Sequence, residues 1–457
     1  MMEQKVKIGD KIRLRIKRMG INGEGISYYQ KTAVFVDFAL PNEEVEAIIT
    51  NVKDNYLIGE IDKLLVKSKD RVTPFCPVYE HCGGCQTQHL AYDAALTEKR
   101  SIILQALTRY VGQSIDHKII KRTIGASEPM NYRNKAILPI RKSGNKTRFG
   151  MFRRNSNEFV PIESCPIQNE TINQLFKKTV RLIDKHKIAA YNPKTKTGNI
   201  RFLAIRISEN KKEVQVSFIM FKKHNGLDDL IRDLVAGSKE IVSVMEVINN
   251  NVNSNRFFTN KTTLKYGKPY ITESLNEQEF CLKPDAFFQL NTKQADKFYL
   301  EMKRLANLNK SDIAVDAYAG IAPVSHYIAN DCKYVYAIEE NKDACESAKL
   351  SLVKNGISNV EIMHCSFNQG LRKLGKLKID VMFFDPPRTG LGLETINQIL
   401  VFKPKRLIYG SCNPSTLAKD LDLLLKSYDL IELVPIDMFP FTSLVESISL
   451  LELKTSL

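Results

Sequence analysis

No run of apolar residues in this chain approaches the roughly 18 needed to span a bilayer, and Met1 to Lys17 alternates charged with apolar positions where a signal segment would carry an apolar core. A cytoplasmic protein without a membrane anchor is expected. Cysteine is scarce: nine in 457 residues, an odd number, is too few for a disulfide scaffold and leaves reactive or metal-binding roles. Internal repeats and low-complexity segments are missing, which excludes solenoids and long flexible linkers. Acidic residues are in deficit, 51 Asp and Glu against 67 Lys and Arg, so the net charge is +16. Such a field draws in polyanions, with nucleic acid the favoured partner and an evenly solvated Lys-rich surface the alternative. What is present is enough apolar residue, 43%, to build more than one core. A chain of this length predicts two or three domains.

The patterning predicts an α/β multidomain protein. In residues 11 to 66, Ile12, Leu14 and Ile16 alternate with charges, Gly20, Gly23 and Gly25 punctuate, and Val34 and Val36 alternate again before Pro41. This predicts a small β barrel over 1–66. A mixed α+β region follows over 67–284, with basic clusters at Lys121-Arg122, Arg141-Lys142, Arg148 and Arg153-Arg154, some of them close to Phe149 and Phe152. Interleaved cations and aromatics suit phosphate contact with base stacking, although each cluster alone reads as a solvated face. From 285 to 457 short apolar runs alternate with amphipathic stretches: Ile313–Val315, Tyr334–Ile338, Val360–Met363, Ile379–Phe384 and Leu407–Tyr409. That alternation predicts a Rossmann-like, doubly wound parallel sheet.

Cys76, Cys82 and Cys85 are clustered, with a distant fourth at Cys165, and Gly83 and Gly84 leave room for thiolates to converge. Three close thiolates plus a remote one suit a 4Fe–4S cluster; zinc more often takes two short pairs, and unligated buried cysteines are the third reading. In the C-terminal region Val315-Asp316-Ala317-Tyr318-Ala319-Gly320 follows the first strand, and Glu339 ends the second, 23 positions after Asp316. An acidic side chain there can accept hydrogen bonds from ribose hydroxyls. Asp385-Pro386-Pro387-Arg388 follows one apolar run and Cys412 follows another, in Ser411-Cys412-Asn413-Pro414, so both segments are expected at the same edge of the sheet.

Lys17 to Ile26, with Phe35-Val36 and Ala39-Leu40-Pro41, resembles a TRAM domain, an OB-like barrel of RNA-modifying enzymes. Asp385 to Arg388 together with Ser411 to Pro414 resembles the RNA uracil-C5 methyltransferases, in particular the bacterial iron–sulfur members acting on 23S rRNA. The resemblance implies an S-adenosyl-L-methionine cofactor touching Gln289, Tyr318, Glu339 and Asp385, with Cys412 as nucleophile and Glu446 as base. It also implies an RNA partner, ribosomal first and tRNA second, and a monomer. The chemistry is coherent: C5 of uracil is a poor nucleophile until a thiolate adds at C6 and turns the ring into an enolate. A base then removes the C5 proton so that the thiolate can leave.

The chain also departs from the family pattern. Residues Ala319 to Pro323 read Ala-Gly-Ile-Ala-Pro where Cys-Gly-x-Gly-Thr is usual, so a Cβ is added at Ala322 and an N–H is lost at Pro323. Weaker cofactor binding is one expectation; retention of the loop shape is the other, since proline is accepted in a first helical turn. Ser366 stands where an acidic residue often follows the third strand, and Phe441 and Leu444 stand where histidines usually precede the base. These departures admit an RNA-binding paralogue of low activity, acting in ribosome assembly, as the rival reading; an exocyclic-amine methyltransferase, which would not need Cys412, is a third.

Overall fold

The computed structural model describes residues 6–254 and 256–455, so the first five residues of the expected barrel segment and the last two of the C-terminal segment lie outside it. Six strands, Lys11–Arg15, Arg18–Met19, Gly25–Tyr29, Thr32–Asp37, Glu44–Val52 and Tyr56–Val66, form one curled sheet. Alternation places Ile12, Leu14, Val34, Val36, Val45 and Ala47 in its core while the intervening charges face water. Gly25 is required by the curl, because a Cβ there would lie 2.7 Å from the carbonyl oxygen of Ala39.

The central region holds a seven-stranded, largely antiparallel sheet running from Thr262–Gly267 at one edge to Phe159–Pro161 at the other. The helices Glu170–Lys185 and Leu227–Ala236 bury their apolar sides in one core with it.

The C-terminal sheet has the strand order Val360–His364, Tyr334–Glu339, Ile313–Ala317, Val381–Phe384, Arg406–Ser411, Glu446–Leu453, Tyr428–Ile436. The first five are parallel, and Glu446–Leu453 lies antiparallel to both its neighbours, Arg406–Ser411 and Tyr428–Ile436. Strand order reverses between Ile313–Ala317 and Val381–Phe384, and a cleft at the carboxyl ends of the strands is the consequence.

Packing divides the chain differently from the pattern of the sequence in two places. The helix Tyr92–Tyr110, within the region expected to be central, buries Ile102, Ile103, Ala106 and Leu107 in the same core as Leu407, Leu417, Leu421 and Leu451 of the C-terminal unit. The hairpin of Ile271–Leu275 and Gln278–Leu282 shares its core with Phe298, Ala314 and Phe383. Both segments are therefore parts of the body that carries the cleft.

Candidate active site

Every residue expected to touch substrate or cofactor opens onto one cleft of about 770 Å³: Gln289, Tyr318, Glu339, Asp385, Cys412 and Glu446. The sheet accounts for this. Asp385 directly follows Val381–Phe384, and Cys412 directly follows Arg406–Ser411. In the antiparallel ladder Ser411 faces Ser447 at the last paired position, so Cys412 and Glu446 each lie one residue beyond it at the same end of the two strands. Asn413, the N-cap of the helix Pro414–Leu424, and Thr416 in its first turn donate to the carbonyl oxygen of Arg388 at 3.1 and 3.3 Å, which locks the segment after Cys412 to the loop after Asp385.

On the other side of the cleft the Glu339 carboxylate accepts from the backbone N–H of Gly320 at 2.8 Å and of Asn341 at 2.6 Å. Those bonds fix its orientation and leave lone pairs for further donors. Tyr318 takes a left-handed conformation, φ 59°, and its ring stacks on Phe367 with centroids 5.9 Å apart. A side chain at Gly320 would meet no protein atom within 4 Å, since that position borders open cleft. These features fit a nucleoside-bearing cofactor: a carboxylate at the end of the second strand, an aromatic face, and a loop with free space above it.

The departures from the family pattern have local explanations. Ala322 adopts φ 60°, the left-handed region in which a side chain costs about 1 kcal/mol or more. Its methyl is buried among Ala319, Ala337 and Ala348, which offsets part of that cost. Pro323 occupies the first turn of the helix Pro323–Ile328, so the missing N–H had no intrahelical partner. Ser366 precedes the helix Phe367–Leu374, and its N–H donates to Gln369 Oε1 at 3.4 Å. Phe441 packs edge-on against Phe75 with centroids 4.8 Å apart.

Burial dominates the electrostatics. The Glu446 carboxyl is pushed up to about 8, first by desolvation and then by Asp385, while Arg388 and Lys99 act in the opposite sense. Asp385 is raised to about 6 by burial alone. The Cys412 thiol rises to about 12 through burial, then Glu446 and Asp385, with Arg388 opposing. Three acidic groups in one desolvated cleft thus hold protons tightly, and Arg388 is the cation that favours release from both Cys412 and Glu446. Arg388 and Phe287, whose ring lines the cleft and is 65% exposed, were not singled out by the sequence as site residues. The position of Arg388 beside Asp385 was the available signal for the first, and an aromatic two residues before Gln289 for the second.

Cys76, Cys82, Cys85 and Cys165 line one separate pocket. Burial raises the thiols of Cys82, Cys85 and Cys165, Cys85 to about 12, and each is raised further by charge on neighbouring cysteines of the set. Among the described residues no three His, Cys, Asp or Glu side chains converge as ligands about a single ion. The donor set, four thiols lining one pocket beside Gly84, is chemically of the kind that binds a multi-iron group, in which each thiolate takes a different metal.

A groove of about 580 Å³ runs from Ile21 and Asn22 of the barrel past Arg133, Phe152 and Arg153 to Arg388 and Phe439, the last two shared with the cleft. Not all of the expected cation and aromatic clusters are available to a ligand. Phe149 is 3% exposed and packs on Phe176 in the central core, so it offers no stacking face. Arg148 pairs with Glu163, Arg153 with Glu158 at 2.9 Å, and Arg154 with Asp37 at 3.3 Å, which ties the barrel to the central region.

Residues 91–454 match the family described as tRNA (Uracil-5-)-methyltransferase, and residues 5–61 match the TRAM domain. Similar proteins named as uncharacterized RNA methyltransferases occur in Listeria monocytogenes serovar 1/2a, 38% identical over 99% of this chain and 100% of the relative. Another occurs in Bacillus anthracis, 36% identical over 99% of each. A solved structure, the tRNA (uracil-54, C5)-methyltransferase of Pyrococcus abyssi in complex with S-adenosyl-L-homocysteine, matches 96% of this chain and 100% of its own. Its TM-score is 0.76 and its identity 26%.

Proposed function

The chain belongs to the family of S-adenosylmethionine-dependent RNA (uracil-5-)-methyltransferases, and on that premise we propose that it methylates C5 of a uridine through a covalent bond between Cys412 and C6. The observation that carries this reading is the common cleft of Cys412, Glu446 and Asp385, with the first two each one residue beyond the last pair of one ladder. Cys412 adds as thiolate to C6, forming the S–C bond as the C5–C6 double bond opens toward C5. Gln289, Tyr318, Glu339 and Asp385 would hold S-adenosylmethionine, which would supply the methyl group to C5 and leave as S-adenosylhomocysteine. Glu446, as carboxylate, removes the proton from C5, and the electron pair restores the double bond and expels the Cys412 thiolate. The base must leave its stack to reach Cys412, and the groove from the barrel to Arg388 offers a track for the flanking strand.

Cys76, Cys82, Cys85 and Cys165 would hold a 4Fe–4S cluster, which would tie the loop at 76–85 to Cys165 as a structural group rather than take part in methyl transfer. Ribosomal RNA of the large subunit is the substrate proposed first, because a TRAM barrel accompanies the four-cysteine pocket. Transfer RNA is the second reading, favoured by the similarity to the Pyrococcus abyssi enzyme over nearly the whole chain. Mass spectrometry of nucleosides from separated rRNA and tRNA, with and without the gene, tests both. Loss of 5-methyluridine from rRNA supports the first and loss from tRNA the second; no loss from either, with the purified protein inactive on both, rejects the function.

A further inference from the structure

We propose that Lys99, on the helix Tyr92–Tyr110, is a positioning residue that clamps the strap 437–446 and thereby aims the carboxylate of Glu446; this rests on reading Glu446 as the base. The ammonium is 1% exposed and uses all three of its donors inside the protein. One reaches the carboxylate of Asp437, itself 0% exposed. The others reach the carbonyl oxygen of Phe439 at 3.1 Å and of Leu444 at 2.7 Å. These carbonyls flank Phe441, the left-handed residue at which the strap turns, φ 64°. Leu444 is two residues before Glu446, so the clamp sets where the strand Glu446–Leu453 begins.

The rest of the strap is held from other sides. Asp437 also accepts from the Tyr92 hydroxyl at 2.7 Å, and its carbonyl accepts from Gln294 Nε2 at 2.9 Å. The Phe441 carbonyl accepts from the N–H groups of Gln86 and Thr87, both at 3.0 Å. The Glu446 carboxylate receives no hydrogen bond among the described residues, so its aim depends on the backbone that carries it. An ion pair needed only for packing would be satisfied by Asp437 alone; the two carbonyl bonds place this cation at the centre of the segment that presents the base.

Lys99 also favours the ionised base. The charged and titratable groups acting on Glu446 or responding to it are Asp385 and Arg388 from the loop after Val381–Phe384, Cys412 after Arg406–Ser411, Tyr299 on the helix Thr292–Ala306, and Lys99. Asp385 holds the proton on Glu446, while Arg388 and Lys99 favour its loss.

Removing Lys99 alone would leave Asp437 buried and unpaired, at a cost that endangers folding. The test therefore uses Lys99→Met with Asp437→Asn, beside Lys99→Arg, and compares formation with breakdown of the Cys412–RNA adduct in single-turnover reactions across pH. The double variant should keep its fold by circular dichroism and form adduct at close to the wild-type rate. Breakdown should slow by about tenfold to a hundredfold, with its pH midpoint moved upward. Lys99→Arg, which keeps the charge, should recover part of the rate and return the midpoint. Wild-type breakdown with an unmoved midpoint, or equal slowing of formation and breakdown, would overturn the role of Lys99. Glu446→Gln, run alongside, separates the two ideas: if it breaks down adduct normally, the base assignment itself fails.

Discussion

Glu446→Gln should make the protein more stable while stopping turnover, and the gain should depend on pH in a defined way. Glu446 is 5% exposed, and burial with the nearby Asp385 carries its pKa from 4.5 to about 8. Between these values the folded protein keeps a proton that the unfolded chain releases, so wild-type stability falls as pH rises through this window and levels off above it. The ionised carboxylate then costs about 5 kcal/mol relative to a neutral side chain, and the same relation gives about 3 kcal/mol at pH 7. An amide of the same shape has no such dependence. Thermal unfolding of both proteins at pH 5, 7 and 9 should show nearly equal midpoints at pH 5, with the variant ahead at pH 7 and further ahead at pH 9. A gap independent of pH, or one that closes toward pH 9, would refute the buried, proton-holding base. Wild-type adduct breakdown should rise with pH toward a plateau above about 8, because only the carboxylate abstracts the C5 proton.

Arg388→Met removes the cation that favours ionisation of Cys412, so adduct formation should slow by about tenfold or more, measured by quenched single turnover; an unchanged rate would show that the thiol is activated otherwise. Ala322→Gly relieves about 1 kcal/mol of left-handed strain but loses a methyl worth about 0.8 kcal/mol of burial. Stability should therefore move by less than about 1 kcal/mol and calorimetric affinity for S-adenosylmethionine by less than about twofold; a gain of tenfold in affinity would show that this loop impairs the cofactor site. Cys165→Ser should lower bound iron and acid-labile sulfide in anaerobically purified protein and lower the thermal midpoint. Equal iron content in wild type and variant would remove Cys165 from the cluster.

The parts of this molecule legible in sequence are those whose chemistry is local. Parallel strands buried on both faces read as short apolar runs, and the residues just past them, Asp385 and Cys412, sit at the cleft for that reason. The observed strands differ from the expected ones by one or two residues at their ends, as with Val381 in place of Ile379. What escaped the sequence depends on partners far along the chain. Lys99 meets Asp437 across 338 positions, and a lysine in a helix otherwise reads as solvent-facing. The helix Tyr92–Tyr110 falls by position within the central region, and nothing local tells that its apolar side enters the C-terminal core. Phe149, read beside cations as a stacking platform, alternates inward on its strand and is consumed by the core.

The most direct measurement is mass spectrometry of the protein after incubation with S-adenosylmethionine and substrate RNA carrying 5-fluorouridine at the target position, where fluorine at C5 leaves no proton for Glu446 to remove. The account predicts a stable protein–RNA species whose digestion maps the methylated fluorouridine to the peptide containing Cys412, and none from Cys412→Ala. A protein that methylates ordinary RNA yet leaves Cys412 unmodified under these conditions would contradict it.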